Sequence, residues 1–258
     1  MAKYVQLSLF DKGDEDRESA QQDNQPIEEQ IILTDISFKL KRGTSVARDE
    51  LDKISILFSE NYGFWSEKSP IRPGERIKLS PDRFKEILNK DHIFIATAHH
   101  NDDIVGQAIY LRKHYGDDGF ITWVLQLVVN SKYRRLGIAT KLLNSIWGFS
   151  NDTAWGLATI NALTIKTLEK ATFRKCDPRS IKKNIKLIEM AKNDVSFARD
   201  AEIELSDKQS IINTHFFIDI SEFKSLLDSY GDRWQLGELK PGWEWLAFTF
   251  THQKVQLN

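Results

Sequence analysis

The feature that most constrains the fold is a passage from an apolar strand, through a short polar turn, into a helix. It runs Leu127-Val-Val-Asn-Ser-Lys-Tyr-Arg-Arg-Leu-Gly-Ile-Ala-Thr-Lys-Leu-Leu143. The strand ends at Val129, and helical spacing of apolar residues begins at Ile138. The first turn of a helix carries unpaired N–H groups and the positive end of the macrodipole. Because Gly137 lets a bulky group approach the backbone, this turn predicts a cradle for a diphosphate.

The residues around Gly137 restrict which class of phosphate-binding protein this can be. Arg134 and Arg135 add positive charge, and Ala139 keeps the next position small. The chain contains neither GxxxxGK[ST] nor GxGxxG, which excludes a P-loop nucleotidase and disfavours a dinucleotide fold. The alternative interpretation of the R-x-x-G-x-A pattern, taken alone, is a strand–turn–helix that carries two incidental arginines.

Hydrophobic periodicity along the chain predicts a mixed α/β fold. The three strands before the central turn are joined by short polar turns, which favours an antiparallel meander. A helix begins at Ser80, where serine caps and Pro81 occupies the first turn. The predicted strands, including these three, are 31–40, 92–98, 104–111, 120–129, 154–160, 214–220 and 243–250. The other predicted helices are 47–58, 138–147, 162–173, 180–191 and 221–230.

Composition excludes several classes of protein. The 258 residues carry a net charge of −1 and contain no apolar run long enough for a membrane span. Cys176 is the only cysteine, so an intrachain disulfide or a cysteine-based zinc site is impossible, and the six histidines show no metal-ligand spacing. We expect no metal, no membrane association, no signal peptide and a cytoplasmic location.

A second motif, Asn161-Ala-Leu-Thr-Ile-Lys-Thr-Leu-Glu-Lys-Ala-Thr-Phe173, follows the next short strand. Together with the segment containing Tyr133 and Gly137, it resembles the acetyl-CoA loop and following helix of the GCN5-related N-acetyltransferase (GNAT) family. The resemblance covers roughly residues 31–173 and two C-terminal strands. It implies an α/β GNAT fold: a mixed, mostly antiparallel central sheet flanked by helices, with splayed strands at the acyl-CoA site. The domain is expected at 30–258, with a helical insertion at about 174–213.

The resemblance implies an acetyl-CoA-dependent N-acetyltransferase that acts on a primary amine of an unknown acceptor. The amine would attack the thioester directly, so the protein would mainly position the two substrates and assist proton transfer. Backbone groups of the splayed strand would hold the pantetheine, amides of the turn would hold the pyrophosphate, and Asn161 would lie near the pantetheine exit. The implied cofactor-binding residues are Leu127, Val128, Val129, Arg134, Arg135, Leu136, Gly137, Ile138, Ala139, Thr140 and Asn161.

The catalytic residues remain unknown at this point. The family's proton-donating tyrosine falls at Leu168, which cannot donate, and its acidic residue falls near Leu125 and Gln126, neither of which is a base. Tyr133 is a candidate by proximity only, and the competing interpretation is a packed aromatic. The alternative function is therefore a catalytically weak acyl-CoA-binding adaptor in DNA replication, repair or mobile-element biology.

Tyr62 and Trp65 belong to an aromatic loop at the position where the family places the border of its acceptor site. The loop either shapes an amine pocket or packs on the core.

Two charged regions indicate possible macromolecular partners. Residues 11–30 hold eight acids and two bases, a net charge of −6, so 1–29 is expected to be a disordered tail. Near its start the tail contains Gln6-Leu7-Ser8-Leu9-Phe10. This peptide resembles the pentapeptide by which bacterial proteins dock on the DNA sliding clamp. The residues that would make that contact are Gln6, Leu7, Leu9 and Phe10. Simple packing on a core edge is the competing interpretation.

Residues 132–192 hold thirteen bases and four acids, which gives weak support for nucleic-acid binding.

Overall fold

Four antiparallel strands form the first half of the sheet, as the sequence predicts. The computed structural model describes residues 33–147, 151–218, 227–253 and 255. The predicted acidic tail and its Gln6–Phe10 peptide lie outside these residues, so both stay predictions. The four strands pair in chain order, and they are β1 (Ile36–Arg42), β2 (Ile93–His100), β3 (Asp103–His114) and β4 (Phe120–Val129).

Helices cover both faces of this meander. Helix α1 (Arg48–Asn61) and helix α2 (Pro81–Leu88) lie between β1 and β2 in the chain, and the Ser80 side chain caps α2 by accepting from the Arg83 amide. Helix α3 (Ile138–Trp147) follows β4. Neighbouring residues of a strand point to opposite faces. His99 interacts with Glu50 of α1, whereas Ala98 and Gly106 lie against α3, so α1 and α3 cover opposite faces.

The second half of the sheet is built by strands that are distant in the sequence. Strand β5 (Ala154–Thr159) runs parallel to β4 and is followed by helix α4 (Ala162–Thr172). The C-terminal strand β8 (Trp243–Phe250) inserts antiparallel beside β5, and every one of its residues is buried. Strands β6 (Ile203–Ser206) and β7 (Gln209–Asn213) complete the sheet in the order β1-β2-β3-β4-β5-β8-β7-β6. The mixed, mostly antiparallel sheet flanked by helices is thus confirmed.

The segment from 174 to 213 contains both helices and strands. Helices α5 (Pro178–Lys183) and α6 (Ile185–Lys192) replace the single predicted helix, because the chain leaves helical geometry at Asn184. The predicted strand at 214–220 is wrong in its position: β7 ends at Asn213, since His215 adopts a left-handed φ of 55° that breaks the extended chain. Ile218 forms only an isolated bridge with Trp65, and residues 219–226 lie outside the described residues.

Strands β4 and β5 pair over only part of their length and then diverge. Their pairing runs from Ile121 opposite Ala154 to Val124 opposite Leu157 and stops there. Strand β4 nevertheless continues to Val129, and a register shift at Leu125 in its pairing with β3 marks a bulge. Within the described residues, the edge of β4 from 125 to 129 therefore lacks a strand partner on its β5 side, which is the splay that the family resemblance implies.

Candidate functional site

A cavity of about 1260 Å³ opens where β4 and β5 diverge. Its walls come from β4, the turn before α3, the first turns of α3 and α4, the loop after α1, and β8. Of the predicted cofactor- and substrate-binding residues, all of which the structure describes, only Leu136 does not line it, because that side chain packs towards the core. The predicted residues that line it are Tyr62, Trp65, Leu127, Val128, Val129, Arg134, Arg135, Gly137, Ile138, Ala139, Thr140 and Asn161.

The turn before α3 presents a set of unpaired amides to this cavity. The backbone N–H groups of residues 135 to 140 donate no hydrogen bond to any described residue; the first donor of the helix is the Lys141 amide, which bonds to the Gly137 carbonyl at 3.0 Å. Arg135 and Gly137 both adopt left-handed conformations, with φ values of 69° and 81°. This alternation turns successive N–H groups towards one concavity, the geometry of an anion-binding nest at a helix N-terminus.

The two arginines of the turn have different surroundings. Arg134 donates from Nη2 to the Asn61 carbonyl at 2.9 Å and from Nε to the Val129 carbonyl at 3.3 Å. It therefore ties the turn to the end of α1 and to β4. The exposed Arg135 makes no ion pair or hydrogen bond with a described residue, so its charge is available to an anion in the cavity.

The wedge between the parted strands is narrow and partly polar. It forms a pocket of about 50 Å³ bordered by Gln126 and Leu127 of β4, Ala158 and Thr159 of β5, and Tyr62. The Gln126 Oε1 atom is buried and accepts no hydrogen bond from the described residues. This oxygen is therefore available to accept a hydrogen bond from a ligand that enters the wedge.

Helix α4 closes the other side of the cavity. Asn161 caps it by accepting from the Leu163 amide at 2.9 Å, and its own amide donates to Thr159 Oγ1 at 3.0 Å. The Asn161 side-chain oxygen is thus engaged in capping. Leu163 is 51% exposed, an apolar side chain at the mouth of the cavity.

Glu244 of β8 is a site residue that the sequence analysis does not find. It lines the cavity, is only 7% exposed, and accepts one hydrogen bond, from Thr214 Oγ1 to Oε2 at 2.7 Å. Burial raises its pKa from 4.5 to about 7, against the opposing effect of the Thr214 hydrogen bond. The carboxyl group therefore changes charge near neutral pH, which is the property that a general base needs.

Aromatic rings from two separate segments enclose the space beside Glu244. Tyr62 stacks on Phe58 with ring centroids 4.2 Å apart, and Trp65 meets Phe216 edge to face at 5.2 Å. The Ser66 amide donates to the Phe217 carbonyl at 2.9 Å, which holds the two segments together. Burial, with a smaller contribution from Glu244, raises the Tyr62 pKa, so its phenol stays protonated.

Of the other candidates, Tyr133 lines the cavity, and its hydroxyl bonds to His100 Nδ1 at 3.0 Å. Leu168 is fully buried in α4, and Cys176 is buried away from the cavity. Burial raises the pKa of the Cys176 thiol well above its ordinary value, which keeps it protonated and unreactive. Within the described residues, no group of His, Cys, Asp or Glu side chains is placed to hold a metal ion, and no helix is long and apolar enough to cross a membrane.

One signal in the sequence points to Glu244. It is the single charged residue in the apolar run from Trp243 to Phe250, and carboxylates are almost never fully buried without a partner or a function. The contribution of Phe216 has no such signal, because it depends on a loop that comes back to the cavity from the end of β7.

The comparison with protein families agrees with this geometry. Residues 55–169, from within α1 to within α4, match the model of the Acetyltransferase (GNAT) family. The match covers just under half of the chain. With the strand order and the parting of β4 and β5, it defines the fold as the GNAT fold.

No curated protein matches the sequence. Solved structures that resemble the chain include an aminoglycoside acetyltransferase from an uncultured soil metagenomic sample in complex with sisomicin (14% identity, 54% of this chain and 86% of that chain, TM-score 0.39). A ribosomal-protein-alanine N-acetyltransferase from Brucella melitensis shares 15% identity over 44% of this chain and 69% of that chain, with a TM-score of 0.32. A GNAT family acetyltransferase from Streptococcus pneumoniae shares 20% identity over 52% and 84%, with a TM-score of 0.37.

Proposed function

We propose that this chain is a GNAT-family, acetyl-CoA-dependent N-acetyltransferase that acts on a primary amine. The observation that carries the proposal is the row of unpaired amides at 135–140 facing a cavity that opens between two parted strands. A diphosphate fits the amides, and a pantetheine arm fits the unpaired edge of β4. The match of residues 55–169 to the acetyltransferase family supports the same activity.

Acetyl-CoA supplies an activated acetyl thioester, and the chain supplies position and charge. The amides of residues 135–140 and the free guanidinium of Arg135 hold the diphosphate. The β4 edge from 125 to 129 aligns the arm, and the wedge bordered by Gln126 and Tyr62 places its end beside the acceptor. Most of the rate enhancement then comes from holding the two substrates together in the correct orientation.

Transfer is direct, from thioester to amine, because no described residue offers an activated thiolate at the site. Cys176 is the only cysteine, is 3% exposed, and does not line the cavity. Its thiol pKa is raised by burial, so no thiolate is available to accept an acetyl group.

Calorimetric titration of the full chain with acetyl-CoA tests the proposal, using Gly137→Glu as the variant. The substitution places a carboxylate in the nest and forces a left-handed φ of 81° on a residue with a side chain. We expect the variant to bind on the order of 100-fold more weakly, since a negative charge replaces an attractive contact with the diphosphate by a repulsive one.

Gly116→Glu is the matched control. Gly116 also has a left-handed φ, of 54°, and open space around it, but it lies in the β3–β4 turn outside the cavity. Equal binding by wild type and Gly137→Glu, or no binding by wild type, rejects the proposal. Binding without thiol release from any amine in a panel favours the catalytically weak adaptor instead.

A further inference from the structure

We propose that Glu244 binds the ammonium group of the acceptor and takes its proton, and that the acceptor carries an apolar or aromatic group next to its amine. This inference rests on the proposed function and goes beyond it, because it names both the class of acceptor and the group that activates it.

The position of Glu244 is the first argument. In the pairing of β8 with β5, Trp245 lies opposite Thr159, and Glu244 is the next residue beyond the end of β5. Thr159 borders both the wedge and the main cavity, so Glu244 stands at the open end of the wedge. An amine held at this carboxylate faces the place where an arm running along β4 ends.

The unsatisfied state of the carboxyl group is the second argument. Only Thr214 donates to it, its Oε1 atom accepts nothing from the described residues, and no Lys, Arg or His among them pairs with it. A buried carboxylate without a counter-ion is costly, and structures retain it where a ligand supplies the missing charge. A primary ammonium brings both the charge and the donors.

The surroundings of Glu244 define the rest of the acceptor. Tyr62, Trp65 and Phe216 form an aromatic wall, which suits an ammonium and the apolar carbon atoms next to it. A polycation finds no further carboxylate on this wall; the other acids that line the cavity, Glu60 and Glu67, belong to the end of α1 and the loop beyond it.

Few ionisable groups face Glu244, so a change of rate with pH can be assigned to its carboxyl group. Tyr62 is the one whose pKa it raises. The adjoining strands contribute the uncharged Thr159 from β5 and Ile212 from β7, while Arg76 and Lys166 line the cavity from the loop after α1 and from α4. The Arg76 guanidinium donates to the Glu60 carbonyl, and Lys166 pairs with Glu169.

The chemical step balances with these groups. The acceptor ammonium gives one proton to the Glu244 carboxylate. The neutral amine then forms the C–N bond to the acetyl carbonyl carbon with its lone pair, while the C–S bond breaks and the sulfur keeps its bonding pair. After the remaining extra proton leaves the nitrogen for solvent, the products are an amide and coenzyme A, which is protonated from Glu244 or solvent according to pH.

The test uses 2-phenylethylamine as the probe, with the full chain as wild type and as Glu244→Gln. At pH 8 in the presence of coenzyme A, wild type should bind the probe at least tenfold more tightly than Glu244→Gln, whereas 2-phenylethanol, its uncharged analogue, should bind both proteins equally and weakly.

In thiol-release assays with acetyl-CoA, Glu244→Gln should lose on the order of 100-fold in rate. The wild-type rate should rise with pH through about 7, and this rise should be absent from the variant.

Two further variants separate a catalytic role from a structural one. Glu238→Gln removes an exposed carboxylate outside the cavity and should leave probe binding unchanged. Thr214→Val removes the single donor to Glu244 and should move the rise in rate to higher pH, which a structural role alone does not explain. The proposal is overturned if wild type fails to bind the probe, if Glu244→Gln binds it equally well, or if the pH profile is the same in all variants. Acetyl-CoA binding by Glu244→Gln, measured in parallel, shows whether the proposed function itself has failed.

Discussion

At the scale of single residues, the site is defined by groups that the fold leaves without partners. The amides at 135–140 have no acceptor among the described residues, and the Glu244 carboxyl has one donor and no counter-ion. Burial of the Glu244 carboxylate without a counter-ion costs free energy in the folded protein. The amides of the turn and the Glu244 carboxyl group border the same cavity, where one pair of substrates can reach both.

The titration of Glu244 makes this cost measurable. Its pKa rises on folding from 4.5 to about 7, so between these values the folded protein binds a proton that the unfolded chain has lost. The contribution of Glu244 to stability is thus fully present below pH 4.5 and falls, by about 1.4 kcal/mol per pH unit, until pH 7.

We therefore predict that Glu244→Gln stabilises the protein at pH 8 by roughly 2 to 3 kcal/mol, while at pH 4.5 the two proteins differ by less than about 1 kcal/mol. Urea denaturation of both proteins at both pH values measures the difference, with Glu238→Gln as the control that should show no such dependence. A variant that is equally stable or less stable than wild type at pH 8 would contradict the argument.

At the scale of elements, the turn before α3 is held by the end of α1. The Asn61 Oδ1 atom accepts from the Ser131 amide at 2.8 Å, and the Asn61 carbonyl accepts from Arg134 at 2.9 Å. The last carbonyls of a helix lack partners within it and carry the negative end of its dipole, so an arginine suits this position. Arg134 thus positions the turn, whereas we propose that Arg135 offers its charge to the diphosphate.

The pair Arg134→Gln and Arg135→Gln distinguishes these two roles, because both remove the same charge from adjacent positions. We predict that Arg134→Gln lowers the free energy of unfolding by about 1 kcal/mol and the affinity for acetyl-CoA about tenfold. Arg135→Gln should leave stability within about 0.5 kcal/mol and reduce the salt dependence of acetyl-CoA binding. Chemical denaturation and calorimetry at two salt concentrations give both readouts, and identical behaviour of the two variants would show that the turn does not depend on the contact with α1.

At the scale of the whole molecule, β4 and β5 are held together at one end by buried polar contacts and diverge at the other end, where the cavity opens. Asp152, fully buried before β5, receives a paired contact from Arg112 of β3, with Nη2 to Oδ1 at 2.7 Å, and a hydrogen bond from Thr122 of β4. Thr251, just after β8, donates to the Asp152 carbonyl. These contacts join the strands at the end where β4 and β5 are paired, so they part only at the end that forms the cavity.

Asp152→Asn should lower the free energy of unfolding by about 2 to 4 kcal/mol, because it breaks a buried ion pair and leaves Arg112 without its partner. The matched control is Asp118→Asn. It removes an ion pair with Lys186, whose side chain is 79% exposed, and should cost less than about 0.5 kcal/mol. Thermal and urea unfolding compare the two, and equal losses would show that Asp152 does not fasten the sheet.

Local patterns were sufficient to predict much of the fold. The bounds of β4, α3 and β8 agree with the predicted ones, because each is a continuous apolar or periodic run ended by turn residues. Prediction was poorest after α4, where Asn184 divides one amphipathic stretch into two helices and His215 ends β7 early. Single-residue backbone conformations of this kind depend on packing that periodicity does not contain.

The sequence by itself determined the strand–turn–helix around Gly137, and with it the position of the proposed phosphate cradle, since every group involved lies within a few residues along the chain. Only the tertiary structure decided what faces that cradle. Strand β8 takes its place beside β5 across more than eighty residues of intervening chain, and this pairing brings Glu244 to the wedge while the segment after β7 brings Phe216 to Tyr62. Such contacts follow from burying both faces of one sheet, a condition on the whole chain rather than on any stretch of it.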